Sequence, residues 1–101
     1  MSRALDTAEH EELRLEILEL CREAQPYGTN PNVLRAALRK SGNDLSEREL
    51  LTQVDYLEDK GLVETKEVIN RRLAINRLIV RLTAAGTDYL EGNGPDIAGV
   101  G

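Results

Sequence analysis

A chain of 101 residues with 13 Lys and Arg against 18 Asp and Glu carries a formal net charge of -5 and is long enough for one domain around a single modest core. That core must be aliphatic, because the sequence has no Trp, no Phe and only Tyr27, Tyr56 and Tyr89. With no apolar run of about 18 residues and no secretion-signal stretch in "MSRALDTAEHEE", the chain is expected to be soluble, cytoplasmic and away from membranes.

From Thr7 to Gln25 the residues Leu13, Ile17, Leu20, Cys21 and Ala24 recur at helical spacing, which predicts a first helix with one buried face and an acidic face of Glu11, Glu12, Glu16, Glu19 and Glu23. Pro26 ends it by disfavouring the helical conformation at Gln25. Cys21 falls on the apolar stripe and His10 lies near the helix start, so the two read as a core thiol and a surface histidine. A metal site wants three or four ligands at characteristic spacing, and nucleophilic catalysis wants a thiol or hydroxyl beside a positioned base. No metal, cofactor or catalytic residue is therefore assigned, and the chain is not read as an enzyme.

In "TNPNVLRAALRKSG" Asn30 caps a second helix with Pro31 at its first position and the stripe Leu34, Ala37 and Leu38, and Gly42 stops it. Ser46, with Glu49 three residues later, forms a capping box ahead of Leu50, Val54 and Leu57, and Gly61 closes this third helix. Beyond Gly61 the residues Leu78, Val80 and Leu82 alternate with Arg77, Ile79 and Arg81, as expected of a strand with one buried face, although Ile75, Leu78 and Leu82 also fit a helical stripe. Residues 62–68 are its expected hairpin partner. No glycine marks the turn, so Asn70 or Asn76 is expected to take the left-handed position. Thr83 caps a short last helix ended by Gly92. The expected organisation is a domain over residues 1–92 and a flexible, Gly-rich tail over 93–101, in which Ile97 and Val100 could dock on a neighbour.

Three helices followed by a β-hairpin, with a short connection between the second and third helices, make the winged helix-turn-helix arrangement, an α+β fold that is mainly α. The sequence supports it: "LLTQVDYLEDKGLVE" resembles the end of the recognition helix and the start of the wing in winged-helix regulators, including the ArsR-like group, and "VRLTAAG" resembles their second wing strand running into the last helix. Through "VDYLEDKGLVE", "VRLTAAGTDYLEG" and the closing "IAGV", nearly the whole chain is similar to the small winged-helix proteins of Mu-like prophages, often labelled ArsR-like. The resemblance implies a third helix that enters the major groove of DNA, with Glu47, Arg48, Leu51, Thr52, Asp55 and Tyr56 facing it, and a wing beside the backbone or minor groove. In such regulators the first and last helices are the usual dimer surfaces, and Leu15, Leu18, Tyr89 and Leu90 are the apolar residues a monomer would expose there, so a homodimer is one expectation and a monomer with single exposed leucines the other. The resemblance implies no metal sensing, since the thiol and imidazole ligands are missing.

Charge divides the molecule. Residues 46–63 carry Arg48 and Lys60 against Glu47, Glu49, Asp55, Glu58 and Asp59, a net -3 that opposes approach to phosphates. Residues 64–82 carry Lys66, Arg71, Arg72, Arg77 and Arg81 against Glu64 and Glu67, a net +3, and residues 26–45 add Arg35, Arg39 and Lys40 against Asp44, a net +2. Two readings follow. Either duplex DNA is gripped by the wing, with Arg71, Arg72, Arg77, Arg48, Thr52 and Lys40 as contacts, or the scaffold serves as a protein-interaction module without DNA binding, its acidic third helix or its arginine hairpin engaging another protein. The plain account of the arginines themselves is a polar sheet face paired with acids of the first helix or of a partner subunit.

Overall fold

The computed structural model of the chain describes residues 3–93, 97, 99 and 100. The elements are α1 (Arg3–Glu23), α2 (Pro31–Lys40), α3 (Glu47–Asp59), β1 (Val63–Asn70), β2 (Ile75–Leu82) and α4 (Ala84–Leu90). Three helices with a hairpin beside the third form a winged helix-turn-helix, mainly α. No helix among the described residues is long and apolar enough to cross a membrane.

Local chemistry sets the helix ends. Asn30 accepts from the Val33 N–H at 3.0 Å, with Pro31 opening α2 behind it. At α3 the Ser46 hydroxyl accepts from the Glu49 N–H and the Glu49 carboxylate accepts from the Ser46 N–H, each at 3.1 Å, so two otherwise orphaned donors are satisfied. Thr83 accepts from the Gly86 N–H at 3.0 Å and starts α4. The start of α1 lies at Arg3 and not at Thr7. Apolar spacing detects only the stretch that packs, and the backbone ladder runs beyond it.

β1 and β2 pair antiparallel with Val63 opposite Leu82, Thr65 opposite Val80, Glu67 opposite Leu78 and Ile69 opposite Asn76. These pairs share the face toward the helices, and the alternate pairs face outward. Residues 71–74 form the turn. Its left-handed position belongs to Ala74, at φ 53°, and to neither Asn70 nor Asn76. Both asparagines remain in the strands, and Asn70 serves the turn through its side chain, which accepts from the Leu73 N–H at 3.2 Å. Thr29 adds a short bridge on the far edge of β2, exchanging both backbone hydrogen bonds with Val80 at 2.8 and 2.9 Å. Gly28 makes this approach possible: a Cβ there would sit 2.5 Å from the Arg81 side chain and 2.9 Å from the Val80 carbonyl, at a φ of +84°.

The core joins Ile17, Leu18 and Cys21 of α1 to Leu34 and Leu38 of α2, Leu50, Val54 and Leu57 of α3, and Leu62, Val63, Val80 and Leu82 of the hairpin. Each such side chain contributes about 2 kcal/mol of burial. Leu18, expected among the residues a monomer would expose, is fully buried, because α1 is packed by α2, α3, α4 and β2 and so hides a wider face than one stripe. Leu15, Tyr89 and Leu90 are half-buried. Of segment 93–101, residues 94–96, 98 and 101 lie outside the described residues. Val100 is in the core, and its carbonyl accepts from the Tyr89 hydroxyl at 2.8 Å.

Candidate nucleic-acid interface

The hairpin decides where positive charge is presented. Its outward face carries Glu64 opposite Arg81, Lys66 opposite Ile79 and Val68 opposite Arg77. Arg81 reaches Glu64 at 4.0 Å, both side chains half in solvent, a pair worth little. Arg77 is exposed, Arg71 and Arg72 are exposed in the turn, and among the described residues none of the three guanidinium groups meets a carboxylate. The cations of the wing therefore keep their charge available to solvent.

α3 turns Leu50, Gln53, Val54 and Leu57 into the core. At about 100° per residue that leaves Arg48, Thr52 and Asp55 outermost, and all three are exposed. The Thr52 hydroxyl donates back to the Arg48 carbonyl at 3.0 Å. Tyr56, expected on the groove side, turns toward α1, where the Arg14 guanidinium lies 3.7 Å from its ring centre. Arg14 also donates to the Gln53 side chain and to the Gly99 carbonyl, each at 2.8 Å. Tyr56 belongs to this packed network.

Glu47 and Leu51 turn the other way, toward the hairpin. With Val33 of α2 and Glu67, Arg77 and Leu78 of the hairpin they border an open cleft of about 560 Å³. Lys40 lies in the last turn of α2, at the opposite end of that helix from the cleft and about 13 Å along its axis. Its neighbour Arg39 pairs with Asp44 at 3.3 Å. The structure thus gathers Arg71, Arg72 and Arg77 on one ribbon and Arg48 with Thr52 on one helix face, with Lys40 apart from both.

Two features had no sequence signal strong enough to find them. One is the cleft, which needs three distant segments to meet. The other is Glu58, whose carboxylate accepts from both the backbone N–H of Thr65 at 3.1 Å and its hydroxyl at 2.5 Å, tying α3 to the root of the wing. Cys21 is buried, and that burial pushes its thiol up to about 12.

No protein-family profile matches the chain, and neither does any curated protein. Solved structures do match, among them the crystal structure of a candidate transcriptional regulator of Thermoplasma acidophilum, with a TM-score of 0.69 over 93% of this chain and 83% of that one at 14% identity. The likeness is one of fold. A similar chain trace at so low an identity carries the winged-helix architecture across and leaves function to the residues on the surface.

Proposed function

We propose that this chain is a small winged-helix DNA-binding protein, a transcriptional regulator or accessory factor, that holds duplex DNA mainly through phosphate contacts from its arginine-rich wing. The observation that carries this reading is the set of exposed guanidinium groups at Arg71, Arg72 and Arg77 without a carboxylate partner among the described residues. Arg48 and Thr52 on the outward face of α3, and Lys40 at the end of α2, are further contacts in this reading. Asp55 beside Arg48 works against base reading by α3, so binding is weak in sequence preference and strong in salt dependence. The likeness to a candidate transcriptional regulator supports the same class. The resemblance of "VDYLEDKGLVE" and "VRLTAAGTDYLEG" to Mu-like prophage proteins supports a phage-borne regulator, which the genes flanking its own would test.

Fluorescence anisotropy of a labelled duplex of random sequence at low salt tests the proposal. Binding in the micromolar range typical of non-specific contacts, about 1–100 µM, is expected. Absence of binding there assigns the scaffold to the second reading, a protein-interaction module, which the carboxylates Glu47, Asp55 and Glu67 around α3 and its cleft favour.

A further inference from the structure

The tip of the wing and the cleft at its root are complementary to each other. The described residues leave five large hydrophobic side chains exposed, and four of them lie on these two surfaces: Val68, Ile69 and Leu73 around the tip, at 41%, 60% and 67% exposure, and Val33 in the cleft at 54%. Charge divides the same way. Arg71 and Arg72 stand between the apolar residues of the tip, while the cleft is lined by Glu47 and Glu67 against the single cation Arg77, and neither carboxylate has a hydrogen-bond or ion-pair partner among the described residues. Leu51 and Leu78, both half-buried, complete its apolar wall.

A tip cannot enter its own cleft. Glu67 and Leu78 are paired across the ribbon inside the cleft, and Arg71 lies four residues farther along the same ribbon, about 13 Å away. The occupant that fits is a second copy of this chain. We propose that two copies associate reciprocally, each placing Arg71, Arg72 and Leu73 in the other's cleft, with the two hairpins antiparallel and a twofold axis near Ile69. Such a contact is self-complementary and closes at two. Backbone geometry favours it as well. Val80 turns its N–H and C=O away from β1 toward Thr29, so by the twofold repeat of a strand Leu78 and Asn76 turn theirs the same way, into the cleft, where an entering strand can pair with them. The proposal shares two arginines with the DNA reading but does not rest on it. If both hold, DNA and the second copy compete for the tip.

Sedimentation velocity of the full chain, with DNA anisotropy measured separately on the same samples, tests this. The parent is expected to sediment as a dimer at low salt and to shift toward monomer as salt rises. Arg71→Glu with Arg72→Glu in one variant, and Glu47→Arg with Glu67→Arg in another, should each weaken self-association at least about tenfold through like-charge contact. Mixed in equal amounts, the two variants should recover dimer, because each tip then faces a cleft of opposite sign. All four residues are exposed, so the core is untouched, and Leu73→Asp supplies a separate disruption without reversing the arginines. A parent that is monomeric up to about 100 µM, variants that dimerise as the parent does, or a mixture that stays monomeric overturns the proposal. A parent that dimerises but binds no DNA overturns only the function proposed above.

Discussion

Replacing Arg71 and Arg72 together by alanine removes two cations that have no ion pair within the described chain, so the fold is left alone and, on the proposed function, the change falls on DNA attraction. Each phosphate neutralised on B-form DNA adds about 0.9 to the slope of log affinity against log salt, so two lost contacts flatten that slope by about 1.8. Over a fourfold rise in salt, from about 50 to about 200 mM, the parent should then lose roughly tenfold more affinity than the double variant. Anisotropy titrations of one labelled random duplex at four or more salt concentrations give both slopes directly. Arg48→Ala, measured alongside, reports the contribution of α3. An unchanged slope in the double variant refutes the wing as the phosphate-gripping element, whatever the absolute affinities are.

Ala74 holds a left-handed conformation at φ 53°, which costs a residue with a Cβ about 1–2 kcal/mol. Ala74→Gly should raise stability by about 0.5–1 kcal/mol after its entropic cost, read as a higher urea midpoint, and a lower midpoint would contradict this turn. Ser46→Ala should cost about 1 kcal/mol by thermal or urea unfolding, the usual value of a lost N-cap. The backbone N–H and the hydroxyl of Ser46 hold the Glu49 carboxyl below the ordinary carboxylate range. A depressed folded pKa stabilises above the unfolded value of about 4.3 and loses that contribution as pH falls through the folded value. The acid-side fall in stability should therefore be shallower in Glu49→Gln than in the parent. Burial raises the Cys21 thiol to about 12, so iodoacetamide at neutral pH should label the chain only once urea unfolds it, and prompt labelling of the native protein would refute the buried position.

The parts of this fold that the sequence discloses are those written within a few residues. Asn30 with Pro31, Ser46 with Glu49, and Thr83 each satisfy backbone donors two or three positions away, so their side-chain chemistry locates α2, α3 and α4 directly. The alternation of Leu78, Val80 and Leu82 likewise discloses which face of β2 is inward. What escapes is decided across the chain. Tyr56 is claimed by Arg14, which also holds Gly99, 85 residues away. Thr29 meets Val80 through one backbone bridge that no local pattern encodes. The left-handed turn residue is an alanine because strand pairing occupies both asparagines, and propensity yields to register. For the candidate interface, composition discloses that the wing is basic. It takes the three-dimensional arrangement to see that Lys40 stands apart from the wing and that two carboxylates border the cleft.

Glu58 gives the ribbon an anchored root and an unanchored end. By taking both donors of Thr65 it closes the edge of β1 just above the core and couples that strand to α3. Further out, Glu67 and Ile69 have no such clamp among the described residues. The hairpin is thus fastened to α3 at its root, while the outer half that carries Arg71 and Arg72 is held by the pairing of its own two strands.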